Sequence, residues 1–87
     1  MNTKKIITLS TAHLHPLEAQ HIESVSLIDN RFSNLISINE DVIADSKRMQ
    51  LVCLVEVLIE LKEKYDVDYV MFDVDEPIID ELKVYDW

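Results

Sequence analysis

Glycine is absent from the 87 residues of this sequence. The absence excludes the glycine-rich phosphate loops of Rossmann and P-loop proteins, and also the G-x-S-x-G nucleophile elbow of hydrolases. Nucleotide-dependent chemistry of the familiar kinds is therefore not expected. The turns must use Asn and Asp, which tolerate positive φ better than the other non-glycine residues.

Cysteine and long apolar segments are also scarce. Cys53 is the only cysteine, so no internal disulfide can form, and its aliphatic neighbours in "LVCLV" indicate a packing role. No segment reaches the roughly 18 uncharged apolar residues of a membrane span, and the apolar run near Met1 is too short for a secretory signal. We expect one cytoplasmic domain, residues 1–87, without a cofactor.

Acidic residues are the most abundant feature, with 17 Asp and Glu against 8 Lys and Arg and a net charge of -9. After residue 65, Lys83 is the only base among eight acids, which gives this part a charge of -7. The eight acids are Asp66, Asp68, Asp73, Asp75, Glu76, Asp80, Glu81 and Asp86. Such a chain repels nucleic acid and anionic membranes and favours a basic partner, although part of the charge can serve solubility alone.

The hydrophobic pattern predicts an α+β fold. It indicates a strand at about 4–10, a helix at 16–24, a hairpin turning at Asp29-Asn30, a helix within 40–64, a strand ending before Pro77, and one further short strand. The order β-α-β-β-α-β(-β) predicts a small, mainly antiparallel sheet with the helices packed on one face.

The long helix is apolar on nearly all sides. It has two equally good starting points, near Asn39 or near Ser46, and its core stripe runs from Leu51 to Leu61. A helix of this kind is buried on more than one side. The second side is either covered by the sheet and loops or forms a homodimer through residues 46–64.

Two histidines stand one residue apart in "STAHLHP", and a third follows at His21. Metal ligands must converge on one point. Pro16 changes the chain direction directly after His15, so the spacing of His13, His15 and His21 favours a strand-to-helix joint over a metal site. His15 occupies the position of a helix N-cap.

Asp73 and Asp75 are spaced for one face of a strand, with side chains about 6.6 Å apart. Paired carboxylates can perform acid–base chemistry, or can hold a divalent ion together with His13. They can also form an ordinary solvated face. A third reading is that regularly spaced carboxylates imitate backbone phosphates and occupy a nucleic-acid-binding groove.

The chain ends in "VYDW", in which Tyr85 and Trp87 alternate to one side with Asp86 opposite. Aromatic side chains of this kind serve either as part of the core or as anchors in an interface.

The two ends of the chain resemble a small bacterial family of unknown function that is carried largely on plasmids and prophages. Its members begin with an S-T-A-H motif and end with a D-x-D-G-P turn and a Y-D-W terminus. The matching residues here are Ser10, Thr11, Ala12, His13, Asp73, Asp75, Pro77, Tyr85, Asp86 and Trp87. His15 replaces a capping threonine, and Glu76 replaces the glycine of the turn. The resemblance implies no activity, but its setting among antirestriction and other accessory genes is associated with an anti-defence role.

These observations predict a non-enzymatic protein of a mobile genetic element. It would bind a basic, nucleic-acid-binding surface of a host or defence protein, as a DNA-mimic-like inhibitor. The predicted contact residues are Asp73, Asp75, Asp80, Tyr85, Asp86 and Trp87. Two alternatives stay open: a metal-binding protein or small hydrolase that uses His13 with Asp73 and Asp75, and a structural homodimer.

Overall fold

The structure is a computed structural model that describes residues 3–29 and 33–85. In chain order its elements are β1 (Ile6–Ser10), α1 (Pro16–Ala19), β2 (Ser26–Asp29), β3 (Ser33–Ser37), α2 (Glu40–Arg48), α3 (Val52–Tyr65) and β4 (Tyr69–Asp73). Two short 3-10 helices, Thr11–His13 and Ile22–Val25, flank α1. The predicted order of helices and strands is confirmed up to β4.

The four strands form one mixed sheet in the order β1-β4-β3-β2. β4 runs parallel to β1 and antiparallel to β3, and the β2–β3 hairpin is antiparallel. The prediction of an α+β fold with a mainly antiparallel sheet is therefore confirmed.

One hydrophobic core joins alternate strand residues to the helices. Val70 and Phe72 of β4 are fully buried, while Tyr69 and Met71, which alternate with them along the strand, are only half-buried. The buried strand residues pack in one cluster with Leu54, Leu58 and Leu61 of α3, and with Leu82 near the C-terminus. Each fully buried aliphatic side chain contributes about 1.5–3 kcal/mol of burial free energy, so this cluster holds the fold together.

The predicted long helix is divided into α2 and α3. Gln50 between them has a φ of 62°, in the left-handed region, and its N–H still bonds to Lys47 O. The reversal places Leu51 in the core with 3% of its surface exposed. One continuous helix could not expose the polar residues of α2 to solvent and at the same time bury the apolar residues of α3 on nearly all sides. The predicted helix at 16–24 is also interrupted, by the turn at Gln20 and His21, although neither residue has a positive φ.

The start of α3 is capped from a distant part of the chain. Leu51 is its N-cap residue and has no side-chain acceptor. Glu18 of α1 replaces this acceptor, because its Oε2 accepts a hydrogen bond from Cys53 N at 3.0 Å and its Oε1 accepts one from Leu54 N at 2.8 Å. The carboxylate thus satisfies two backbone donors and lies at the positive end of the helix dipole.

The chain after β4 is irregular. Residues 74–85 form turns and extended backbone without a strand, so the further strand predicted for the end of the chain does not form within this described range. Pro77 lacks an N–H for a ladder, and Asp73, the last residue of β4, already begins a turn.

We expect the substitution Gln50→Gly to raise the free energy of unfolding by about 0.5–1 kcal/mol. A non-glycine residue in the left-handed region costs about 1–2 kcal/mol, which exceeds the loss of about 0.5–1 kcal/mol that glycine's extra unfolded-state entropy causes. Urea denaturation monitored by circular dichroism measures the change.

Gln20→Gly is the matched control, because Gln20 is exposed and has an ordinary φ of -74°. It should lower stability by about 0.5–1 kcal/mol. Equal changes in the two variants would show that the left-handed conformation at Gln50 carries no strain.

Candidate functional site

Residues 74–85, which we name the C-terminal segment, are attached to the first turn after β1. Tyr85 N donates a hydrogen bond to Ala12 O at 2.9 Å, and both ring nitrogens of His13 bond to the backbone of the segment. Leu82 enters the core. The segment is therefore held in a defined conformation although it belongs to no helix or strand.

His13 is the main attachment point and is 1% exposed. Its Nε2 accepts the N–H of Ile79 at 3.0 Å, so the ring proton lies on Nδ1, which donates to Lys83 O at 2.9 Å. Both nitrogens of a neutral imidazole are thus used by the backbone, and neither can bind a metal unless a hydrogen bond breaks. His13 therefore joins the turn after β1 to the C-terminal segment; the strand-to-helix joint that the sequence favoured for the histidines stays a prediction.

The other two histidines lie apart from this bridge. His15 is the N-cap of α1, and its Nδ1 accepts from Leu17 N at 3.1 Å. Its ring also contacts Tyr85 edge-on, with the two ring centroids 5.3 Å apart. His21 is exposed. Within residues 3–29 and 33–85, no three side chains of the His, Cys, Asp or Glu types are placed to hold a metal ion; the metal alternative stays a prediction without structural support.

Asp73 and Asp75 do not lie along one strand face, and that prediction is wrong. β4 ends at Asp73, whose Oδ1 accepts the backbone N–H of Asp75 at 2.9 Å. This bond closes an Asx turn that takes the place of the glycine turn. Asp75 therefore extends from a turn into solvent, and the two carboxylates form no regular row.

The C-terminal segment carries carboxylates that have no hydrogen-bond or ion-pair partner among the described residues. In the part of the chain that the structure describes, Asp75, Glu76 and Asp80 have no side-chain hydrogen bond or ion pair; by contrast, Glu81 accepts the hydroxyl hydrogen of Tyr65 at 3.1 Å. Asp75 and Asp80 are exposed. The selection of Asp75 and Asp80 from the sequence as contact residues stays a prediction, and the sequence reasoning did not single out Glu76.

Exposed aliphatic residues are interspersed with these acids. Val74, Ile78 and Val84 are 48%, 50% and 45% exposed. Sequence reasoning did not select them, although the sequence shows β-branched apolar residues among the acids of this segment. A surface that combines exposed aliphatic groups with unpaired charge is typical of binding sites.

A small cleft of about 110 Å³ lies beside the segment. Its lining consists of His13, Cys53, Glu56, Val57, Glu60, Lys83 and Tyr85. Burial, and secondly the neighbouring Cys53 thiol, raise the pKa of the Tyr85 phenol. Lys83 Nζ lies 5.1 Å from the centre of the Tyr85 ring, at cation–π distance. Tyr85 is thus fixed at the segment's end by contacts on several sides.

Two of the predicted contact residues, Asp86 and Trp87, lie outside the described residues. The other four, Asp73, Asp75, Asp80 and Tyr85, belong to β4 or to the C-terminal segment. They are spread along the segment, because Glu81, next to Asp80, contacts Tyr65 at the C-terminal end of α3, while Tyr85 bonds to Ala12 after β1.

We expect His13→Phe to lower the free energy of unfolding by about 1–3 kcal/mol, because two partly buried backbone groups lose their partners, and each such loss costs about 1–3 kcal/mol only where burial is complete. The amide of Ile79 should also exchange its hydrogen faster. Urea denaturation and amide hydrogen exchange measure the two effects. His21→Phe, at an exposed position, should change stability by less than about 0.5 kcal/mol; an unchanged Ile79 exchange rate in His13→Phe would contradict the bridge.

Alkaline pH should destabilise the protein through Tyr85. Because its folded-state pKa is raised, the stabilisation is complete below the unfolded value of about 10 and is lost as the pH rises through the folded value. Tyr85→Phe keeps the ring contacts and removes the ionisation, so its stability should fall less steeply above about pH 10. Denaturation midpoints at neutral and alkaline pH test this, and identical slopes for the two proteins would contradict it.

None of the helices in the described ranges has the length and apolar character that crossing a membrane requires. No curated protein and no solved structure matches the chain. Residues 6–87 do match one family, described as the C-terminal domain of the family of unknown function DUF5983. The match extends from the start of β1 through the bridge at His13 to the end of the C-terminal segment, and the chain therefore belongs to the family DUF5983.

Proposed function

We propose that the protein acts without catalysis, by binding a basic surface of another protein through Asp73 and the C-terminal segment. The observation that carries the proposal is the combination found in residues 74–85. Three carboxylates, Asp75, Glu76 and Asp80, have no side-chain partner among residues 3–29 and 33–85, and they stand beside exposed aliphatic residues on a backbone fixed by His13. A segment held in place before binding loses little conformational entropy when a partner docks.

The charge favours a partner that ordinarily binds nucleic acid. A net charge of -9 repels nucleic acid itself, whereas a groove lined with Lys and Arg attracts an acidic protein and accelerates the encounter. The resemblance to a family of plasmids and prophages supports a host or defence protein of the cytoplasm as the target. The inhibition would be anti-defence in effect, since the occupied groove could not bind DNA or RNA.

The arrangement of the acids determines how closely the protein could imitate the phosphates of nucleic acid. Because Asp73 and Asp75 are joined in a turn, their carboxylates do not repeat at the spacing of backbone phosphates. We infer competition by charge and by shape at one loop, with Val74, Ile78 and Val84 as apolar contacts. High salt should therefore weaken binding by screening the charges, while the part of the affinity that comes from the apolar contacts remains.

The test uses the variant Asp75→Asn, Glu76→Gln, Asp80→Asn, which removes three charges and keeps the side-chain shapes. The tagged wild-type protein and the variant are incubated with lysate of the organism of origin at low and at high salt, and captured proteins are identified by mass spectrometry. We expect the wild type to retain a nucleic-acid-binding protein that high salt releases. The variant should bind it at least about tenfold more weakly, a loss of about 1.4 kcal/mol.

Glu23→Gln, Glu40→Gln, Glu63→Gln is the matched control, since it removes the same charge at exposed positions outside the segment. It should bind as the wild type does, and added DNA should displace the wild type from the captured protein. Equal binding by the control and the segment variant, or binding that DNA leaves unchanged, would refute the proposal.

A further inference from the structure

The sheet has a second face whose residues do not belong to the core. The pairing register places Ile6 and Thr8 of β1, Tyr69 and Met71 of β4, and Leu35 and Ser37 of β3 on this side. We name these six residues the open face. None of them belongs to the core cluster or packs against it.

The open face is partly accessible and partly apolar. Ile6 is 58% exposed and Thr8 is also exposed, while the four residues on β3 and β4 are half-buried, as expected for neighbours in a sheet that shade one another. Ile6, Leu35, Tyr69 and Met71 form its apolar part. A contiguous apolar surface of roughly a few hundred Å² is within the range that monomers expose, and the largest surface of this kind on a protein is often functional.

Charge is distributed unusually on this side. Charged residues make up 29% of the chain, yet none of the six residues of the open face is charged. Lys4, two residues before Ile6, lies on the same side at one end of β1 by the alternation of extended backbone. Asp73, paired in register with Ser10 and Ser33, lies at the opposite end. Depletion of charge at the centre, with charged groups at the rim, is typical of protein interfaces.

We propose that the open face binds the open face of a second copy of this chain, with the strands of the two copies antiparallel. A two-fold axis that reverses the strand direction places Lys4 of each copy opposite Asp73 of the other, so the two ends attract twice. Met71 and Leu35, at the middle of β4 and β3, then pack on their counterparts as in a two-sheet sandwich, and Tyr69 lies at the end where Asp73 of the second copy is placed. A parallel arrangement would instead place like charges together.

This interface is preferred over the helix dimer that the sequence suggested for residues 46–64. The exposed apolar residues of α3 are Val52 and Ile59, at 60% and 37%, and Glu56 and Glu63 share the same helix face at i+4 spacing. A second copy docked there would meet glutamates with glutamates. The open face has no such repulsion at its centre.

The size of the face predicts a weak dimer. Three strands about 4.8 Å apart and five residues long, at about 3.3 Å each, cover roughly 240 Å². Standard interfaces bury about 800 Å² of each partner, and the net charge of each copy opposes association. We expect dissociation constants from about 10 μM to about 1 mM, and stronger association at moderate salt, where the net repulsion is screened more than the close contacts.

Sedimentation equilibrium across this concentration range tests the proposal. Met71→Lys places two like charges at the centre of the interface and should raise the dissociation constant at least about tenfold. Val52→Lys introduces the same charge at an exposed apolar residue of α3 and should leave the dimer intact. Circular dichroism melting curves establish that both variants are folded.

A second pair of variants tests the orientation. Lys4→Glu and Lys47→Glu change the net charge equally, and only Lys4 lies at the rim of the open face. Lys4→Glu should weaken the dimer more than Lys47→Glu. A monomer at every concentration, dissociation by Val52→Lys instead of Met71→Lys, or equal effects of the two lysine variants would overturn the proposal.

Discussion

A single buried imidazole holds the last part of this protein in place. His13 accepts from the N–H of Ile79 and donates to the carbonyl of Lys83, and both hydrogen bonds are partly buried. The segment has no sheet partner, so its conformation depends on this bridge, on the bond from Tyr85 N to Ala12 O, and on Leu82 in the core. Burial of Leu82 alone would fix a position along the chain but not a conformation, because the hydrophobic effect has no direction.

This arrangement separates the groups that stabilise the fold from those that are available to a partner. The core draws on alternate strand residues and on one side of α3, whereas the charge accumulates in and after β4. Since the backbone of the C-terminal segment is fixed from inside by His13 and Leu82, its carboxylates need not contribute to folding. Asp75, Glu76 and Asp80 have no side-chain partner in the part of the chain that the structure describes, which is the property that a binding surface for a basic partner requires.

The period-two pattern of β1, the β2–β3 hairpin and β4 was sufficient to predict an α+β fold from the sequence, and the N-cap role of His15 followed from its place before Pro16. The break at Gln50 could not be predicted, because neither Gly nor Pro marks it and the left-handed residue is a glutamine. Only the three-dimensional contact assigns Glu18 to the start of α3, because the two are 35 residues apart in sequence. The same applies to His13, whose partners lie 66 and 70 residues away. Asp73 and Asp75 looked like strand neighbours, since their spacing does not reveal that the first accepts a hydrogen bond from the backbone of the second.

The cap that Glu18 supplies to α3 also affects the order of folding. α1 has four residues and is too short to persist alone, while the first turn of α3 lacks a local acceptor. The hydrogen bonds between α1 and the first turn of α3 form only when the chain between them has closed a loop of more than thirty residues. The two helices should therefore be formed in one concerted event, so that the protein passes between the unfolded and native states without a populated species in which α3 alone is fully formed.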